Sequence, residues 1–405
     1  MQKTLKVGKN YGKIRYYKSV KGGLTMSASF VIANARVYRT ELRDFMPASV
    51  LVEDGKIKKI MSCADCAEAK DLPVVDLENR YLAPGLVDVH THGRIGFDFD
   101  SATADEMRQM RVSYAADGTT TLLPTIASAP MERIQNGIDR IKEVGFDGMH
   151  LEGRYLNEKR RGAHNASLLF PLDRAELTSL LDRMEPLTVH ITCAAELDGG
   201  EDFVKTAIAR GATVGLGHSD ATYEEAVTAF DWGITSTTHT FNAMSPVHHR
   251  KPGTVTAGLV SENIYCEIIA DGFHLHPAIV KLVHQNKKPD HLVLITDSMC
   301  ATRCEDGEYS IAGETVYVRD GKAVNVEGAI AGSTITLYTA VLNLMKFAGI
   351  SFAEALAYAT ITPAKMVGLD ALVGSIDEGK RADLLDIDPE TLEIRRVWQA
   401  GNALS

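Results

Sequence analysis

The chain is poor in cysteine and tryptophan, with six Cys and two Trp among 405 residues, and only 7% of it is aromatic. The cysteines are scattered at 63, 66, 193, 266, 300 and 304, and Cys63 and Cys66 form a single C-x-x-C with no second pair at zinc-ribbon spacing. That excludes a disulfide scaffold and reads as ordinary thiols in a reducing cytoplasm. No stretch reaches the roughly 18 apolar residues of a membrane span, and neither internal repeats nor low-complexity tracts occur. Positive charge is also short. The net charge of −10 argues against nucleic acid or a membrane surface as the partner. An anionic small molecule stays open, because a local pocket of Arg and His can override the global field. What remains, 45% apolar and 24% charged, is ample material for a large core.

The few cations are unevenly spread. Residues 1–25 carry six Lys plus Arg15 and no acid, which leaves −17 on the remainder. This leader lacks the apolar run of a secretory signal, and residues 1–26 read as a disordered extension or a start placed ahead of Met26.

Short β-rich runs recur through the middle of the chain: Gly85–His92, Thr119–Pro124, Gly148–Glu152, Leu187–Ala194, Thr213–His218, Ile234–His239, Tyr265–Asp271 and Leu292–Asp297. Segments with helical patterning separate them, at Ala104–Ala116, Met131–Val144, Asp173–Met184, Glu201–Arg210, Glu224–Phe230 and Pro277–Asn286. Eight buried strands alternating with helices predict an α/β fold, a (β/α)8 TIM-type barrel over residues 84–370. The glycine-rich phosphate turn of a doubly wound sheet is missing. Residues 27–83 and 371–405 read as strands broken by turns, with a hairpin signal at Asp54-Gly55. They are expected to pair into one discontinuous β-sandwich beside the barrel.

Polar residues close the runs. His90 and His92 end the first, Glu152 the third, His218 the fifth, His239 the sixth, Asp271 the seventh and Asp297 the eighth. In a barrel these ends converge on one face, where active sites form. A single core histidine is more often packed than functional, but six strand ends carrying such groups require repeated coincidence. Imidazole and carboxylate suit a divalent metal such as zinc or iron. The H-x-H spacing puts His90 and His92 on one face of a strand. Glu152, His218 and His239 supply further ligands, and Asp297 is then free to carry a proton.

The opening Leu82-Ala83-Pro84-Gly85-Leu86-Val87-Asp88-Val89-His90-Thr91-His92-Gly93 and the closing Gly374-Ser375-Ile376-Asp377-Glu378-Gly379-Lys380-Arg381-Ala382-Asp383-Leu384 resemble the amidohydrolase superfamily. Further motifs are His150-Leu151-Glu152-Gly153, Gly217-His218-Ser219, Thr238-His239-Thr240-Phe241-Asn242-Ala243-Met244, Ile268-Ile269-Ala270-Asp271-Gly272-Phe273-His274 and Thr296-Asp297-Ser298-Met299. In that order they are most similar to the N-acetylglucosamine-6-phosphate deacetylase family, from about residue 30 to the end. Relatives that bridge two metals with a carboxylated lysine would need a Lys in the fourth run; it has none, and Glu152 offers the carboxylate instead.

The resemblance implies metal-dependent hydrolysis of the acetamide of N-acetyl-D-glucosamine 6-phosphate to D-glucosamine 6-phosphate and acetate. It implies Glu152, His218 and His239 on the principal metal, with His90 and His92 completing a second site in members that keep the H-x-H, so one or two ions per subunit. Asp297 would be the base and then the acid, and His164 would stabilise the oxyanion. His164 and His274 resemble the sugar-binding histidines. Asn242 and Ala243 would touch the phosphate end, and Arg250 matches a phosphate-binding Arg contributed by the neighbouring subunit, which implies a homodimer. Few other basic residues lie near these motifs. Arg154 and Ala166 stand where the family usually has Pro, near the sugar loop. Alternatives are a deacetylase of N-acetylgalactosamine 6-phosphate or another N-acyl compound, and, from a different class, a non-catalytic metal- or sugar-phosphate-binding protein.

Overall fold

The structure is a computed structural model that describes residues 29–62, 72–311 and 314–404. The basic leader and the Cys63/Cys66 pair lie outside these. Eight parallel strands form the central sheet: β1 (Leu86–Thr91), β2 (Thr119–Ala127), β3 (Gly148–Glu152), β4 (Thr188–Cys193), β5 (Thr213–Leu216), β6 (Ser236–Thr237), β7 (Tyr265–Ile269) and β8 (Leu292–Ile295). Each pairs with the next in sequence. The sheet closes through a parallel bridge between Thr91, the last residue of β1, and Ser298, just past the end of β8. All eight expected runs are present, but five of the ladders stop one or two residues before the polar group that ends the run.

All six expected helices form, and Ala104–Ala116, Met131–Val144 and Pro277–Asn286 have the expected bounds. Local chemistry explains why they were legible. Thr103 and Glu106 form a reciprocal capping box at the first, and Pro277 sits in the first turn of the last, where its missing N–H costs nothing. A further helix, Gly253–Val260, has the composition GTVTAGLV, poor in helix formers, and tertiary packing selects it. Helix Leu337–Ala348 and a three-stranded flap, Gly307–Ile311, Glu314–Arg319 and Lys322–Asn325, lie between β8 and the carboxyl-terminal strands.

The chain ends meet in one eight-stranded sheet, in which Leu384–Ile387 runs antiparallel to Tyr81–Pro84. The hairpin between Asp44–Glu53 and Lys56–Met61 turns at Asp54 and Gly55, with φ of +51° and +72°. Those are the values a two-residue type I′ turn demands. Ile32, Val50 and Val52 from one end share a core with Leu384 and Trp398 from the other.

Candidate metal centre

Part of the mouth of the barrel is built from residues that leave the ladder, while His90 and Glu152 stay within their strands. His218, His239 and Asp297 each lie two positions beyond the last paired residue of β5, β6 and β8, with φ of +50°, +32° and +48°. Left-handed backbone at a non-glycine residue costs of order 1–3 kcal/mol and persists only where the surroundings over-determine it. For Asp297 they do. Its N–H donates to the His90 carbonyl at 2.9 Å, and its own carbonyl accepts from the Ser333 N–H at 2.7 Å.

The donors converge in two groups that share Glu152. Glu152 Oε1 lies 3.2 Å from His218 Nε2 and 2.9 Å from His239 Nε2, which are themselves 3.1 Å apart. Glu152 Oε2 lies 3.0 Å from His92 Nε2 and 3.3 Å from His90 Nε2, which are 3.2 Å apart. Asp297 Oδ1 stands 3.1 Å from His92 Nε2 and 3.5 Å from His90 Nε2. Around a tetrahedral ion with bonds of about 2.0–2.1 Å, neighbouring ligand atoms sit about 3.3–3.4 Å apart. The donor set fits a divalent cation, and one carboxylate serves both groups.

Hydrogen bonds decide which ring nitrogen is free. His218 Nδ1 is 2.8 Å from the Arg160 carbonyl, which can only accept, so Nδ1 carries the proton and Nε2 keeps its lone pair for an ion. His274 is held likewise, Nδ1 donating to Asp271 Oδ2 at 2.7 Å. His164 has the opposite tautomer. Its Nδ1 accepts from the Ser128 backbone N–H at 3.4 Å, with Ser128 Oγ at 3.0 Å, so Nε2–H is the donor, 3.7 Å from Glu152 Oε2.

The electrostatics agree. Burial would raise the Glu152 carboxyl, but the His90 charge and the surrounding imidazoles of His164, His218 and His239 hold it well below the usual range. Burial likewise opposes the ionised Asp297, yet the His92 hydrogen bond and the charges of His90 and His92 hold it at about 2. His92 is desolvated too, but Asp297 and Glu152 raise it to about 9. Burial pushes His164 down to about 4, which keeps it neutral. Two buried carboxylates thus draw positive charge into the site, and a divalent cation answers the same field.

All of these side chains but His90 line a cavity of about 400 Å³ together with Asn242, Ala243 and His274. Asn242 Nδ2 donates to the His239 carbonyl at 3.1 Å. Arg250 is not among the lining residues: it is exposed, with Nη1 2.7 Å from His249 Nε2. Asp271 does not join the donor cluster and instead orients His274. Arg154 pairs with an acid, but from a buried position. It is buried, its Nε 2.9 Å from Glu176 Oε1 and its guanidinium 3.9 Å from the Phe170 ring centroid. Ala166 opens a short 3-10 turn capped by Asn165. Lys159 and Arg160, passed over in the sequence although they adjoin the Gly162-Ala163-His164 motif, line the cavity and pair with Asp220. The flap adds Ile311 and the segment following it adds Ala329–Gly332, a wall that no chemical motif announces.

The model of the amidohydrolase family matches residues 81–403. An N-acetylgalactosamine-6-phosphate deacetylase of Escherichia coli O157:H7 is 34% identical over 87% of this chain and 94% of its own length. An N-acetylglucosamine-6-phosphate deacetylase of Vibrio furnissii is 32% identical over 86% and 88%. The crystal structure of the N-acetylglucosamine-6-phosphate deacetylase of Pasteurella multocida superposes with a TM-score of 0.87 at 30% identity, covering 93% of this chain and all of that one.

Proposed function

The chain belongs to the amidohydrolase family, and from that premise we propose that it hydrolyses the acetamide of an N-acetylated amino-sugar 6-phosphate. N-acetyl-D-glucosamine 6-phosphate is the leading substrate, with D-glucosamine 6-phosphate and acetate as products. The observation that carries this reading is the convergence of Asp297, Glu152 and four imidazoles in two donor groups that share Glu152, at a cavity that the His164 N–H donor also lines. The names of the relatives supply the substrate class.

Glu152, His218 and His239 would hold one divalent ion, zinc or iron, and His90, His92, Glu152 and Asp297 a second. Such an ion lowers the pKa of water and polarises a carbonyl. The chain's own groups do the rest. Asp297, ionised, takes a proton from the attacking water and returns it to the departing sugar nitrogen, so one carboxylate is base and then acid. The His164 Nε2–H donates to the developing oxyanion, a role usually worth about 3–4 kcal/mol. His274 orients the sugar, and Asn242 and the Ala243 backbone contact its phosphate end. The exposure of Arg250, outside its own cavity, supports a homodimer in which it reaches the neighbouring site. The free thiols of Cys193, Cys266, Cys300 and Cys304 suit a cytoplasmic enzyme. No helix among the described residues is long and apolar enough to cross a membrane.

The relative from Escherichia coli acts on the galactose epimer by name, so both sugar phosphates enter the test. Acetate release is followed from each, before and after chelation and metal add-back. Rapid, metal-dependent release from the glucosamine substrate is expected. Stoichiometric binding without release from either substrate would overturn the reading.

A further inference from the structure

Below the metal donors the barrel holds a second polar layer. The interior of such a barrel is ordinarily filled by branched apolar side chains, and a carboxylate there costs several kcal/mol of solvation unless it is partnered. Glu267, inside β7, is completely buried. Its Oε1 accepts from Ser236 Oγ at 2.9 Å and lies 3.4 Å from His190 Nε2. The opposite nitrogen of His190 is fixed by Thr213 Oγ1 at 2.9 Å. Gly215 makes room for the layer: a Cβ there would lie 2.8 Å from Ser236 Oγ and 3.2 Å from His190 Nε2.

The other oxygen is the informative one. Glu267 Oε2 has no hydrogen-bond partner among the described residues, nor does His90 Nδ1. These two buried orphans face each other at 3.9 Å. His90 Nε2 points into the donor cluster. An imidazole that binds a cation through Nε2 carries its proton on Nδ1, and a buried N–H needs an acceptor.

We propose that Glu267 is a positioning residue for the metal centre: its Oε2 accepts the Nδ1 proton of His90 and so presents the Nε2 lone pair to the ion shared with His92, Glu152 and Asp297. Ser236 and His190 anchor the carboxylate from behind, and Glu267 touches neither substrate nor ion. This inference rests on the metal-binding reading above.

The test measures zinc binding to the full-length chain by competition with a chromophoric chelator. Glu267→Gln is expected to weaken one zinc equivalent about 10–100-fold, the range for such outer partners, and to leave the equivalent held by Glu152, His218 and His239 unchanged. His90→Ala should weaken the same equivalent, and the double variant should lose little beyond either single one, because the residues act as a unit. Unchanged zinc affinities in Glu267→Gln, or fully additive losses, would overturn the proposal. Should Glu267→Gln fail to fold, Glu267→Asp keeps the charge but withdraws it by one methylene, and unchanged affinity there would also overturn it. A wild-type chain that takes up no zinc or iron would instead remove the reading on which the inference depends.

Discussion

Replacing Asp297 with Asn isolates the proton carrier at nearly constant shape. Asp297 is held ionised at about 2 by its imidazole neighbours, so near neutral pH it is a carboxylate able to take a proton. Asn cannot accept one at the same position or return it. Both transfers assigned to Asp297 then lose their agent. General acid–base catalysis is typically worth 10²–10⁴-fold, or about 3–5 kcal/mol, and kcat should fall by at least that range. KM should move little, because His164, His274 and Asn242 are untouched. An ion between Glu152, His218 and His239 would keep all its donors. The other would lose one anionic neighbour, Oδ1 at 3.1 Å from His92 Nε2, so metal content must be read alongside rate. Acetate release measures the rate, elemental analysis the metal content. A variant within tenfold of wild-type kcat, with its metal content unchanged, would refute the role of Asp297.

Other consequences are open to measurement. Arg154→Ala breaks a pair whose arginine is buried and whose Glu176 is partly exposed; allowing for that exposure, a loss of about 2–3 kcal/mol is expected in urea unfolding, with kcat/KM within about twofold of wild type. A large rise in KM would instead return Arg154 to the substrate. Gly153 has φ +133°, and a Cβ there would meet Ser128 Oγ at 2.4 Å and Ser128 N at 2.7 Å. Gly153→Ala should therefore cost about 2–4 kcal/mol and lower kcat as well, because Ser128 anchors His164; unaltered melting and rate would contradict the packing seen here. Arg250→Ala and Asp297→Asn chains, each poorly active alone, should regain about a quarter of the sites when mixed and allowed to exchange, if the arginine crosses a two-fold interface. No recovery would place the Arg250 function within its own subunit or nowhere.

Much of the fold was legible because each of its signals is local. Barrel strands buried on both faces read as short apolar runs, capping boxes and an N1 proline mark helix starts, and Asp54-Gly55 marks its hairpin. The principal donors were legible for a related reason: strand ends in a barrel converge wherever they lie in the chain, so His90, His92, Glu152, His218, His239 and Asp297 could be collected without coordinates. Arg154 shows the limit. The sequence placed it near the sugar loop, but that it is buried against Glu176 and Phe170 depends on how that loop packs on the following helix. Lys159 and Arg160 were missed because basic residues are usually solvated, and only the cavity wall singles them out.

The sequence by itself determined the eight-stranded barrel and the chemical identity of its mouth, since periodicity and residue type fix which face is buried and which groups can bind a cation. Tertiary structure alone decided the left-handed turns at His218, His239 and Asp297, the tautomers set by Arg160 and Ser128, and the facing of Glu267 and His90. Those features are distances and directions between groups as many as 177 residues apart. Closing the barrel creates them, and no local rule encodes them.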